Sequence, residues 1–301
     1  MKKNTFVALK CMFCLLALVF IQEIISTHHY GAMPFYDLHP QELMLRSAFY
    51  TSYGNSSKER KHNIYLAAQA LDNTFIDVGG EFSFNDTVGP RTQARGYKKA
   101  KIIFNGAFID GIGGGVCQVS STLYNAALLS DLLITEYHSH SLPVSYVALS
   151  FDAMVNSGSA DLRFINNTHN PVIIKTSADG SKLKISIYGE PPEYTIERKS
   201  VTVKTIAPPP EQILKDINGE YPDLYKGEKK VVSYGKNGYK SEGYVIKKKD
   251  GCADVKLKIR TDIYAAVRGI IIEGTAVRPT GEETEPGENE NLGGEVTGAE
   301  P

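Results

Sequence analysis

The spacing of apolar residues changes along the chain, and each change marks an element. The first apolar run, Thr5 to Ile25, is broken by Lys10 and by Gln22-Glu23. Its unbroken part, Cys11 to Ile21, has the length of a signal-peptide core, whereas the whole segment reaches the ~20 residues that a helical membrane span needs. Lys2, Lys3 and Lys10 precede the apolar core and the next Lys or Arg is Arg46, which places the downstream chain on the extracytoplasmic side. No small-x-small cleavage site follows Ile25. Residues 1–25 are therefore expected to be an uncleaved signal anchor in the plasma membrane, and residues 26–41 a tether.

From residue 42 the pattern becomes mixed. Ile64, Ala67, Ala68 and Leu71 share one helical face. Thr74–Val78, Gly79-Gly80 and Glu81–Asn85 predict strand, turn and strand, and 96–111 predicts a hairpin closing on Asn105-Gly106. A glycine-rich approach, Gly111-Ile-Gly-Gly-Gly-Val, then leads to Cys117 and a helix from Val119 to about Leu129. Ile134–Leu149 predicts two strands bent at Pro143, and three more strands run over Asp161–Thr168, Pro171–Thr176 and Lys182–Gly189. The expected fold over 42–189 is α+β, a mixed helix and antiparallel sheet domain. Proline runs at 191–192 and 208–210 flank one strand and define a linker over 190–210. Short strands around Asn237-Gly238 then predict a small all-β domain over 211–277, and residues 278–301, rich in Glu, Gly and Pro, predict a disordered acidic tail.

Composition narrows the function only slightly. A net charge of -1 gives no basis for a nucleic-acid partner. Of the four cysteines, Cys11 and Cys14 lie in the apolar N-terminal segment, so no disulfide framework follows, and a Cys117–Cys252 bridge would cap the more interesting thiol.

Cys117 stands near a helix start, where unpaired N–H groups and the helix dipole favour a thiolate. His138, His140 and Asp152 follow in order. A thiol nucleophile needs a base, and the base needs a carboxylate to fix its tautomer. On that logic Cys117 is the nucleophile, His140 the base and Asp152 its orienting group, with Gln118 or the N–H groups of the glycine loop as oxyanion donors. Gly113, Gly114, Gly115 and Arg163 are assigned to substrate binding. Arg163 would hold a peptide carboxylate, although salt bridging is the plainer reading of Arg91, Arg95 and Arg163. Two other readings stay open: a structural thiol with histidines satisfying a bend, and a metal site of Cys117 with His138 and His140, for which a fourth ligand is not evident. No metal or other cofactor is expected.

Several motifs, Glu81-Phe-Ser-Phe-Asn, Val88-Gly-Pro-Arg-Thr, Gly96-Tyr, the stretch from Gly111 to Ala126 and His140-Ser-Leu-Pro-Val-Ser-Tyr-Val, together resemble the VanW family over residues 60–189. The segment 211–274, by its position and its Gly235, Gly238 and Gly243, resembles a G-five (five-glycine) domain. One departure is Ala148-Leu-Ser where the VanW pattern has Pro-x-Gly, which bears on the placement of Asp152. The resemblance implies a cell-envelope setting; the expected partners are cell-wall peptidoglycan or its peptides and, through the apolar residues 5–25, the cytoplasmic membrane. It supplies no reaction. The order of Cys117, His140 and Asp152 is similar to that of transglutaminase-like and papain-like thiol enzymes, implying a cysteine hydrolase or acyltransferase. The alternative is a non-catalytic peptidoglycan-binding or scaffold protein.

Overall fold

The computed structural model describes residues 43–104 and 106–278. The expected anchor, tether and nearly all of the acidic tail lie outside them. No described helix is long and apolar enough to cross a membrane.

Helix α1 (Lys58–Leu71) begins where Ser57 caps it, its Oγ accepting from Arg60 N at 3.2 Å. The face predicted from spacing, Ile64, Ala67, Ala68 and Leu71, is the buried one. It packs on a four-stranded sheet of order β1-β9-β8-β2, formed by β1 (Met44–Ser52), β2 (Thr74–Ile76), β8 (Val172–Ala178) and β9 (Lys182–Gly189). Alternate residues Leu183, Ile185 and Ile187 of β9, with Val172 and Ile174 of β8, build the core beneath it. A second, antiparallel sheet joins β3 (Glu81–Ser83), β6 (Leu133–Glu136) and β7 (Arg163–Ile165), in the order β3-β7-β6. The expected hairpin is β4 (Lys99–Phe104) and β5 (Ala107–Ile112), whose register pairs Phe104 with Ala107 across a two-residue loop.

Two elements depart from expectation. The strand predicted through Asn85 stops at Ser83 and becomes the short helix α2 (Phe84–Val88). Ser83 Oγ accepts from Asp86 N while Asp161 accepts from Ser83 Oγ and Asn85 N, so local capping replaces the ladder. After β6 the predicted second strand is absent, and residues 137–161 run irregularly. Their backbone groups are claimed elsewhere: Ala153 N donates to Ser121 Oγ on helix α3 (Val116–Leu129), Ser150 N to Tyr264 Oη, and Ser141 O accepts from Ala265 N. Tertiary partners thus outcompete sheet pairing.

The second half is all β, as expected. The strand between the proline runs, β10 (Thr195–Ile206), is no spacer: it pairs along its length with β13 (Gly238–Lys248), which pairs in turn with β14 (Val255–Tyr264). A further sheet has β15 (Ile270–Glu273) between β11 (Gln212–Lys215) and β12 (Lys229–Ser233). Asn237-Gly238 is not a hairpin turn, because β12 and β13 belong to different sheets. Gly243 has a packing reason: a Cβ there would lie 2.9 Å from Ser150 O, so only glycine lets β13 sit against the irregular segment.

Candidate thiol site

The glycine loop sets the approach to α3. Gly113 (φ 83°) and Gly115 (φ 112°) take left-handed backbone, and a Cβ on Gly114 would lie 2.7 Å from Lys101 O. The chain thereby crosses tightly over β4 and starts α3 at Val116, which puts Cys117 in the first turn. Val116 N donates to Gly113 O and Gln118 N to Gly115 O, whereas the Cys117 N–H has no acceptor among the described residues.

Cys117 is half-buried, and its Sγ lies 3.4 Å from Val155 O. His140 comes from the irregular segment and is 5% exposed. Its Nδ1 and its backbone N both lie 2.7 Å from Asp152 Oδ2. With Nδ1 held, Nε2 is the nitrogen left for the thiol. Asp152 is 1% exposed and is delivered by a turn in which Ser150 takes φ 61°. Left-handed backbone at Ser150, which carries a side chain, holds some strain.

The charges within this trio reinforce one another. Burial alone would raise the Cys117 thiol, but the hydrogen bond and charge of His140, helped by Val155 and Arg91, bring it below its ordinary value. Burial would likewise lower His140, yet Asp152 and Cys117 raise it to about 9. Asp152 is pushed up by burial and more than pulled back by His140, Arg260 and Tyr264, ending below the usual carboxylate range. The lowered thiol and the raised imidazole both shift the balance toward a thiolate–imidazolium pair.

Cys117 and His140 open on a cleft of about 1480 Å³, lined also by Gly113, Gly114, Gly115, Arg60, Arg91 and Tyr146. Arg60 and Arg91 are half-buried, and neither pairs with a carboxylate among the described residues. Arg60 Nη2 donates to Gln118 Oε1 at 2.8 Å; Arg91 Nη1 donates to Gly89 O at 3.1 Å, and its buried Nη2 has no partner among the described residues.

Of the residues singled out in the sequence, Cys117, His140 and the three glycines meet at this cleft, with Asp152 buried behind His140. Gln118 does not serve as an oxyanion donor. Its Nε2 donates to Thr51 Oγ1 and Ser52 O, both at 3.0 Å, so it ties α3 to β1 instead. Arg163 lies apart, in a smaller depression, where it bridges Glu81 and Asp161 at 3.1 Å and Glu136 at 3.4 Å. Its charge is already matched. Arg163→Ala should therefore leave the reactivity of Cys117 unchanged and the thermal unfolding midpoint close to that of the parent, measured by thiol alkylation and thermal unfolding.

His138 separates from His140 because β6 ends at Glu136, whose Oε1 lies 2.8 Å from His138 Nε2. Among the described residues no group of three or more His, Cys, Asp or Glu is placed to hold a metal, and Cys117 and Cys252 are both free. Two residues escaped sequence reading. Tyr264 Oη lies 2.6 Å from Asp152 Oδ1, and Arg260 Nη1 lies 2.7 Å from Asp152 O. The available signal was the alternation Arg260-Thr-Asp262-Ile-Tyr264, which sets three polar side chains on one face of a strand.

Residues 59–188 match the family model described as VanW like protein, and residues 198–276 match the G5 domain. Protein YoaR of Bacillus subtilis (strain 168) is 42% identical over 172 residues, covering 57% of this chain and 55% of its own. Vancomycin B-type resistance protein VanW of Enterococcus faecalis (strain ATCC 700802 / V583) is 29% identical over 133 residues, covering 42% of this chain and 48% of its own. The chain thus spans about half the length of the curated relatives it matches. The crystal structure of HP0197-G5 aligns with 27% of this chain and 99% of its own at 22% identity and a TM-score of 0.14.

Proposed function

We propose that this chain, which carries a VanW-like domain followed by a G5 domain, is a thiol-dependent acyl-transfer enzyme of the cell envelope. The observation that carries the reading is the thiol of Cys117 set beside a histidine whose Nδ1 is fixed by a buried carboxylate, at the wall of an open cleft. The thiolate attacks an amide or peptide carbonyl, and the Cys117 N–H, left without an internal acceptor, faces the developing oxyanion. Imidazolium His140 then protonates the leaving amine, which departs as an acyl-thioester forms on Sγ. Water or a second amine, deprotonated by His140, resolves the thioester by hydrolysis or transpeptidation. Arg60 and Arg91 supply unmatched positive charge for an anionic group on the substrate.

Cell-wall peptides are the proposed substrate class, with residues 1–25 as membrane anchor and the bulk of the chain on the wall side. The G5 match supports attachment to wall material by the second domain, which retention on purified peptidoglycan would test. For the chemistry, incubation with muropeptides should yield an acyl adduct on the Cys117 peptide by intact and tryptic mass spectrometry. It should be missing in Cys117→Ala. Full turnover in that variant would overturn the proposal.

A further inference from the structure

The Cys117–His140–Asp152 trio lies in the first domain, yet half of what holds Asp152 comes from the second. Asp152 Oδ2 is occupied by His140 N and Nδ1. Oδ1 has one hydrogen-bond partner among the described residues, Tyr264 Oη at 2.6 Å. The direction of that bond is forced: Ser150 N, 2.8 Å from the same Oη, can only donate, so the hydroxyl proton points at the carboxylate. Arg260 fixes the backbone of the same residue. Its Nη1 donates to Asp152 O at 2.7 Å, its Nη2 lies 3.7 Å from Asp152 Oδ1, and Nε and Nη2 grip Asp262 at 2.7 and 2.9 Å. The guanidinium is fully buried, and it lies 4.4 Å from the ring centroid of Tyr137.

We propose that Tyr264 and Arg260, on β14 of the second domain, are positioning residues of the thiol centre in the first domain, so that the two domains form one functional unit. Tyr264 stops the Asp152 carboxylate from rotating, and Arg260 stops its backbone from shifting. His140 consequently keeps Nδ1 on Asp152 and Nε2 toward Cys117. This rests on the thiol reading of the site.

The test measures Cys117 alkylation by iodoacetamide against pH in the full chain, resolved peptide by peptide because Cys252 is exposed. The other ionisable groups around the trio are Arg60, Arg91, Tyr146, Arg260, Asp262 and Tyr264. The arginines stay cationic and burial pushes both tyrosines up, so the profile near neutrality reports the thiol–imidazole pair. Tyr264→Phe should raise the alkylation pKa by about one unit and slow the reaction at neutral pH about tenfold. Arg260→Lys should move it in the same direction. Ser241→Ala, which removes the 2.6 Å contact to Ser150 Oγ between the same domains without touching Asp152, should keep the wild-type profile. Wild-type profiles in both Tyr264→Phe and Arg260→Lys, with native circular dichroism, would overturn the proposal, as would an equal shift in Ser241→Ala. An ordinary thiol pKa in the wild-type chain would instead remove the thiol reading itself and this inference with it.

Discussion

Replacing His140 with alanine should slow alkylation of Cys117 at neutral pH by about a hundredfold. Two opposed effects set the thiol's proton affinity, burial pushing it up and His140 pulling it down. The variant keeps the first and loses the second, so the thiol should move from below its ordinary value to above it. Acyl transfer should fall further, by about 10²–10⁴, since the leaving amine also loses its proton donor. The reading is a stopped alkylation series for the thiol and product release for the acyl transfer. An unchanged alkylation rate would mean that His140 does not govern the thiol.

Asp152→Asn should cost about 3 kcal/mol in unfolding free energy near neutral pH, because it leaves a buried imidazolium and Arg260 without the carboxylate between them. The pH dependence has a definite sign. The folded Asp152 lies below the usual carboxylate range, so its stabilisation is present above about pH 4, the unfolded value, and is lost as pH falls through the lower folded one. His140, raised to about 9, contributes stability that is complete below about 6.5, its unfolded value, and is lost as pH rises through about 9. Denaturant unfolding of the two proteins should therefore diverge most between those limits, and converge in acid. A gap that persists unchanged below about pH 3 would count against the buried-pair account.

The trio was legible in the sequence because each member carries its chemistry in its residue type and because their order is compact, from Cys117 to Asp152. The α1 face was legible for a similar reason: a local period reports a local helix. The path between His138 and Asp161 was not, since its backbone hydrogen bonds go to Ser121 and to the end of β14, partners that no local period encodes. Arg163 and Arg91 show the same limit for charge. Only the fold matches the first with Glu81, Asp161 and Glu136 while leaving the second in the cleft. β10 between its prolines resembled a spacer because pairing with β13 is invisible until the strands are laid side by side.

The distance along the chain between Asp152 and Tyr264 also orders events in time. The 112 residues separating them make the contact long-range, so loop-closure entropy should place it late in folding. A newly made chain that has completed only the VanW-like part already holds Cys117, His140 and Asp152, but lacks the hydroxyl and guanidinium that lock the carboxylate. Its thiol should stay sluggish until β14 docks. On the thiol reading proposed above, reactivity should therefore mature only once the whole chain is complete.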